Sequence, residues 1–125
     1  MLYAILCYHD ETVTTNWSAE HDAAVIARLK QVHGKWSDRF GPIARLMPSS
    51  SATVLRKSDG AVLDGPYAET KEQLLGFYIV DLDDLAQGLA IARDLARANP
   101  GGAYELRPLI GYYPDGQAAA DDIDP

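Results

Sequence analysis

The sequence has a single cysteine, Cys7, which excludes an intramolecular disulfide framework and any zinc site built from several thiolates. No apolar stretch approaches the length of a membrane span, and no basic residue precedes Arg28, so we expect a cytoplasmic protein without a signal peptide. Basic residues are also scarce, since 11 Lys and Arg face 18 Asp and Glu, for a formal net charge of −7. This balance opposes binding to nucleic acid or to an anionic membrane.

Motifs of several common chemistries are missing as well. The three histidines are dispersed, with no H-x-x-x-H or H-x-H spacing, so we predict no metal site. There is no glycine-rich phosphate loop and no G-x-S-x-G nucleophile elbow, and no cofactor is predicted. Residues 112–125 are rich in Ala, Asp, Gly and Pro. We interpret them as an acidic, flexible tail that follows one domain of residues 1–111.

Hydrophobic periodicity predicts a strand and a long helix in the first third of the chain. Residues 2–8 form a short apolar run, which is typical of a buried strand. Ser18 is a suitable N-cap for a helix whose apolar residues recur at helical spacing as far as Phe40. Gly41-Pro42 favours an end to this helix, because Gly adopts the left-handed C-terminal conformation and Pro disfavours helix before it.

The rest of the chain predicts further strands and a second helix. Asp59-Gly60 lies between two short apolar segments, which is typical of a β-hairpin turn. The predicted elements are a strand at 43–47, a hairpin at 52–63, one helical turn at 69–74, a strand at 77–81, a helix that Asp83 or Asp84 caps and Asn99 ends, and a strand at 103–110.

This order fits a ferredoxin-like α+β sandwich with an inserted β-hairpin. Helices cover only one face of such a sheet, so the other face must be hidden by another element or left to solvent. A partner sheet is the simplest cover.

Residues 64–81, DGPYAETKEQLLGFYIVD, resemble the signature D-G-P-F-x-E-x-K-E-x-x-x-G-F of the DGPF family, within the YCII-like group. The resemblance extends from Leu2 through the final predicted strand and includes MLYAILCYHDE and YELRP. Tyr67 stands where the family usually has Phe. The resemblance implies a dimeric α+β barrel, in which two ferredoxin-like sheets face each other.

The resemblance also suggests two kinds of activity. DGPF proteins are often encoded beside sigma factors of the extracytoplasmic-function type, with no assigned biochemical role. Some YCII-like relatives act on small organic acids, including a dehalogenase, with a His-Asp pair suggested as the acid–base machinery. Asp10 is similar in position to the Asp of that pair. His33 lies about one helical turn beyond the place where relatives carry the His.

His33 is the first candidate for acid–base chemistry, because its spacing from Leu29 and Trp36 places it on or beside the apolar face of the predicted helix. A His33/Asp10 dyad could transfer protons near neutral pH; the alternative is an inert histidine at the core margin. His9 is a second candidate. On a regular strand, however, His9 and Asp10 point to opposite faces and cannot share one pocket.

Charged residues of the last strand are candidates for ligand binding. Alternation sends Glu105 and Arg107 to the face that a partner would cover, and Tyr104 and Leu106 to the core. Arg107 and Lys71 could form an anion clamp, whereas the alternative is a structural Glu105/Arg107 pair that sets the dimer register. The further residues predicted to shape the pocket are Asp64, Tyr67 and Tyr78. Cys7 is interpreted as a small buried hydrophobic residue.

The sequence leads to two functional hypotheses. The first is a homodimer that binds a small anionic or polar organic molecule, with isomerase, lyase or dehalogenase-like acid–base chemistry. The second is a noncatalytic ligand-sensing or regulatory module associated with a sigma factor. A purely structural dimer is a third possibility. None of them involves nucleic acid or a membrane.

Overall fold

The computed structural model describes residues 1–116; residues 117–125, which hold most of the predicted tail, lie outside the described residues. The elements are β1 (Leu2–His9), α1 (Glu11–Thr14), α2 (Ala19–Lys35), β2 (Phe40–Arg45), a 3-10 turn (Ser49–Ser51), β3 (Thr53–Leu55), β4 (Val62–Asp64), β5 (Gln73–Asp81), α3 (Leu85–Ala98) and β6 (Ala103–Pro108).

Four strands form one antiparallel sheet in the order β2-β5-β1-β6. With the hairpin set aside, this is the strand order of a ferredoxin-like sandwich, so the predicted α+β fold is confirmed. Both long helices pack on one face of the sheet. The fully buried core side chains between them are Ile5, Val80, Leu82, Ile91 and Leu95.

The helix α2 begins where the sequence predicts but ends earlier. The Ser18 hydroxyl accepts a hydrogen bond from the His21 backbone N–H at 3.0 Å, as expected of an N-cap. The helix ends at Lys35, so the predicted end at Gly41-Pro42 is wrong. The reason is that Phe40 pairs with Val80 of β5 and begins β2. Proline is tolerated in β2 because this is an edge strand, where an N–H can be missing.

The DGPY segment is also rearranged relative to prediction. The expected helical turn at 69–74 is not formed, because β5 already begins at Gln73. Within β5, Gly76 pairs with Cys7 on one side and Arg45 on the other. A Cβ atom at Gly76 would overlap the carbonyl oxygen of Ala44, so only glycine allows β2 to approach β5 this closely.

One ion-pair network fastens α3 to α2. The Asp94 carboxylate accepts hydrogen bonds from the Lys35 ammonium at 2.8 Å, the Trp36 indole N–H at 2.9 Å and the Arg97 guanidinium at 2.6 Å. These donors lower the pKa of Asp94 to about 2, the Lys35 bond having the largest effect.

The predicted hairpin forms a separate two-stranded sheet of β3 and β4. Its turn contains Gly60 at φ +73°, a backbone conformation that favours glycine. The hairpin pairs are Thr53 with Asp64, Val54 with Leu63 and Leu55 with Val62. Because paired residues share a face, Leu55 and Val62 lie together on one side of the hairpin and Leu63 lies on the other.

Candidate functional site

His9 ends β1 on the helix side of the sheet and is buried. Its Nδ1 atom accepts the Asp10 backbone N–H at 2.7 Å, so the neutral ring in this arrangement carries its proton on Nε2. The Nε2 atom packs against Gly101, whose φ is +100° and where a Cβ atom would crowd the ring. The indole of Trp17 meets the His9 ring edge-on at 6.0 Å.

Asp10 is an N-cap, a role that the sequence analysis did not foresee. Its Oδ1 atom accepts hydrogen bonds from the Thr12 hydroxyl at 2.6 Å and the Thr12 backbone N–H at 2.9 Å, and this starts the unpredicted helix α1. The Thr12 hydroxyl and N–H lower the pKa of Asp10, with smaller effects from the charges of Lys71 and His9. Because His9 pairs with Gln73, Asp10 and Lys71 lie at the same end of the sheet.

His33 lies in α2 and faces the sheet, as its spacing predicts. Its Nε2 atom is 3.4 Å from the Tyr78 hydroxyl, and its ring meets those of Phe40 and Tyr78 edge-on. Burial lowers the pKa of His33 below 6.5 and raises the pKa of Tyr78 to about 12. At neutral pH this pair is mainly an uncharged imidazole beside an uncharged phenol.

The structure does not bring His33 and Asp10 together. Tyr78, which contacts His33, pairs with Ile5 in the middle of β1, whereas Asp10 follows the end of that strand. Five residues of β-strand correspond to roughly 17 Å. The Asp10 side chain is engaged by Thr12 instead, so these two candidates form separate groups.

The face of the sheet opposite α2 and α3, which we call the open face, is covered by neither long helix. Strand alternation assigns it these side chains: Leu2, Ala4, Leu6, Tyr8, Ala44, Phe77, Ile79, Asp81, Glu105 and Arg107. Ala4 and Ile79 at its centre are buried, and Leu6 and Phe77 are half-buried. It is therefore mainly apolar, with charged groups on β6 and, at one end, Asp81 of β5, which accepts a hydrogen bond from the N-terminal ammonium at 3.0 Å.

The two charged groups that β6 places on the open face form a pair. The Arg107 Nε–H donates to Glu105 Oε2 at 2.8 Å, and a second guanidinium N–H donates to the same oxygen. The Tyr8 hydroxyl lies 3.5 Å from Glu105 Oε1. Tyr104 and Leu106 pack against the core on the other face, as alternation predicts. Tyr8 was missed by the sequence analysis, although the same alternation along β1 could have found it.

Lys71 and Arg107 do not form a clamp within one chain. Lys71 lies near Asp10 beyond the end of β1, whereas Arg107 pairs with Ala4, six residues back along that strand. Along a strand, this separation is roughly 20 Å.

The predicted pocket of Asp64, Tyr67 and Tyr78 is not assembled either. Asp64-Gly65 forms the expected turn, with Gly65 at φ +100° and its N–H donating to Ala52 O at 2.8 Å. Asp64 and Tyr67 are exposed, whereas Tyr78 is buried under α2.

Burial raises the pKa of the Cys7 thiol to about 12, which disfavours the reactive thiolate.

Two findings limit other kinds of site within residues 1–116. No group of three or more His, Cys, Asp or Glu side chains is placed to hold a metal ion. Among the same residues, no helix is both long and apolar enough to span a membrane.

These features define a ferredoxin-like α+β domain with an apolar sheet face, on which one arginine–carboxylate pair is set. The chain belongs to the YCII-related domain family, whose model matches residues 1–112. This confirms the resemblance to the YCII-like group. The chain is also similar to an uncharacterised protein, R00369, of Rhizobium meliloti (strain 1021), with 53% identity over 119 residues, or 91% of this chain and 96% of that protein.

Proposed function

We propose that this protein is a cytoplasmic homodimer of the DGPF subgroup that binds a small anionic or polar organic molecule between two open faces. The observation that carries the proposal is the Glu105–Arg107 pair on a mainly apolar sheet face. Covering this face with a second copy would bury those of its apolar side chains that are half-buried in the single chain, and would also desolvate the pair.

Arg107 is the group that recognises the anion. A guanidinium has five N–H donors, and the contacts with Glu105 engage only part of them. A carboxylate of the ligand can accept the remaining donors in the bidentate geometry that arginine favours. Glu105 and the Tyr8 hydroxyl then fix the arginine and supply polar contacts beside the ligand.

The acid–base step of an isomerase, lyase or dehalogenase-like reaction is assigned to a histidine. His9 is next to Asp10 and lies at the end of the sheet near Lys71, and its proton-bearing Nε2 atom packs against Gly101. His33 is the other candidate, with Tyr78 beside it. Its uncharged ring is suited to accept a proton rather than donate one.

A second candidate function is a noncatalytic ligand-sensing or regulatory module, associated with a sigma factor of the extracytoplasmic-function type. The observation that favours it is the separation of the histidines from Arg107. Both histidines lie on the helix side, whereas Arg107 lies on the open face. Such an arrangement suits binding without proton transfer to the ligand.

Calorimetric titration with a panel of small carboxylates, such as lactate, malonate, chloroacetate and benzoate, tests the binding proposal. We expect at least one to bind the wild-type protein, with a Kd at least about tenfold higher for Arg107→Gln. The matched control is Arg93→Gln, an exposed arginine on α3, which should bind unchanged. Equal affinities of wild type and Arg107→Gln, or no binding by any of the carboxylates, would contradict the proposal.

A turnover assay with the carboxylates that bind separates the two candidate functions. Turnover that His9→Gln or His33→Gln abolishes, while binding persists, supports the enzyme. Binding without turnover supports the sensing module. Sedimentation velocity on the same preparations tests the homodimer, and a protein that stays monomeric at high concentration rules it out.

A further inference from the structure

Strand β6 is an edge of the main sheet, and within residues 1–116 it pairs with β1 alone. The Leu109 N–H donates to Leu2 O at 2.9 Å and continues the register of these two strands. In an antiparallel pair, alternate residues make the hydrogen bonds. Alternate residues counted back from Leu109 therefore bond to β1, so the N–H and C=O groups of Tyr104 and Leu106 point away from it.

The outer edge of β6 is a template for one more strand. Pro108 occupies the next outward position, where its missing N–H leaves no bond within the chain unmade. The edge therefore offers N–H donors at Tyr104 and Leu106 and a further carbonyl acceptor at Pro108. Exposed rows of such groups pair readily with another chain.

A mainly apolar groove of about 280 Å³ lies beside this edge, between α3 and β6. Leu89 and Ala96 line it from α3, and Tyr104 and Leu106 line it from β6, whereas no residue of β1 contributes. The groove therefore opens on the outer side of β6. Arg93 also lines it, and its long side chain can keep the charge in water when the groove is covered.

The charges of β6 indicate what kind of strand fits this edge. Glu105 and Arg107 are two residues apart and share the open face. When two identical strands pair antiparallel about a two-fold axis, facing residues lie on the same side of the sheet, so the axis passes through a residue. With Leu106 on the axis, Glu105 of each copy faces Arg107 of the other.

The other registers bring less favourable residues together. With Glu105 or Arg107 on the axis, two like charges face each other directly, which is destabilising. With Tyr104 on the axis, Arg107 faces Gly101, which lies outside the strand. The charge pattern of β6 is therefore complementary to itself in the register centred on Leu106.

The backbone groups also find partners in this register. The two Leu106 residues form a hydrogen-bonded pair, in which each N–H donates to the C=O of the other. The Tyr104 N–H faces the Pro108 carbonyl, so both outward N–H groups have an acceptor. Glu105 and Arg107 fall in the non-hydrogen-bonded pairs, in which facing side chains come closest.

We propose that the outer edges of β6 from two copies of the chain pair antiparallel about Leu106 and join two four-stranded sheets into one. The helices of both copies then lie on the same side, and α3 of each copy covers the groove beside the axis. This contact leaves both open faces uncovered. It therefore goes beyond the homodimer proposed above and does not depend on it.

Charge reversal at the facing positions tests this pairing by sedimentation velocity up to high concentration, because short paired strands form small interfaces. Glu105→Arg and Arg107→Glu each place like charges opposite each other, so each alone should raise the dimer Kd at least about tenfold. A mixture of the two variants faces arginine with glutamate at every such position. We expect its Kd to lie within about threefold of the wild-type value.

The matched control is Asp38→Arg, which makes the same change of charge just before the opposite edge strand, β2, at a residue that is 79% exposed. It should leave the dimer Kd unchanged. Both β6 variants lose the pair within the strand, so its loss cannot explain recovery in the mixture. Far-UV circular dichroism checks that every variant is folded.

Amide hydrogen exchange on the wild-type protein locates the contact. The N–H groups of Tyr104 and Leu106 should become more protected as the protein concentration rises, because they gain acceptors only in the paired edge. The N–H of Glu105 already faces β1 and serves as the internal reference.

The inference is overturned if the mixed variants associate no better than each alone, or if protection of Tyr104 and Leu106 does not depend on concentration. A wild-type dimer that leaves these amides unprotected uses another surface; the edge pairing then fails and the proposed function stands. Protected amides without binding of any carboxylate give the opposite result. A wild-type protein that is monomeric at every concentration rules out both kinds of dimer.

Discussion

Removing the charge of Asp94 should destabilise the protein in a way that depends on pH. The pKa of this carboxyl is about 2 in the folded protein against an ordinary 3.8. A difference of this size corresponds to about 2.4 kcal/mol, and the exposure of Lys35 and Arg97 reduces it to about 1–2 kcal/mol. The Asp94→Asn variant keeps an oxygen acceptor for the Trp36 indole but loses the attraction to both cations.

The sign follows from the lowered pKa. A carboxyl with a lower pKa in the folded state stabilises the protein at all pH values above its ordinary pKa, and this stabilisation disappears as the pH falls from about 4 to about 2. We therefore expect Asp94→Asn to reduce the free energy of unfolding by about 1–2 kcal/mol at pH 7 and by progressively less below pH 4.

Urea unfolding at pH 7, 5, 4 and 3, followed by tryptophan fluorescence, measures this difference. Asp38→Asn is the matched control, because Asp38 is 79% exposed and lies 3.8 Å from Arg39. It should change the free energy of unfolding by less than about 0.5 kcal/mol. If Asp94→Asn had the same effect at pH 7 and pH 3, the electrostatic reasoning would be refuted.

Three further predictions concern Cys7 and two glycines. Cys7 should react with a disulfide reagent at pH 8 much more slowly in the folded than in the urea-unfolded protein, because burial raises its pKa to about 12; equal labelling rates would contradict this. Gly102→Ala should destabilise the protein by more than about 2 kcal/mol in urea unfolding, because φ is +75° and a Cβ would overlap Tyr8 O. Gly34→Ala, in an open helical position, should instead stabilise it by about 0.5–1 kcal/mol.

Much of the fold could be predicted, because hydrophobic periodicity and turn-forming residues can be recognised in short stretches of sequence. The spacing of apolar residues predicted both long helices, and the dipeptide Asp59-Gly60 predicted the hairpin. The end of α2 was predicted wrongly because Phe40 satisfies the helical spacing and also fills a strand position opposite Val80. That choice depends on pairing between residues 40 positions apart, which no local pattern contains.

The site could be predicted only in part. Alternation along β6 places Glu105 and Arg107 on one face and Tyr104 on the other, as the structure shows. The distance between His33 and Asp10 depends instead on how α2 lies over the sheet, which packing determines. The N-cap role of Asp10 was not predicted, because the four-residue helix α1 is too short to show a helical period.

The close approach at Gly76 offers a marker for comparing homologues. Because this position has room for a hydrogen atom alone, a homologue with any larger residue there must displace its edge strand or shift its register. The residue aligned with position 76 can therefore be checked before the β2–β5 pairing is assumed for another sequence. Where glycine is retained, the spacing from Ala44 to Phe77 should carry over unchanged.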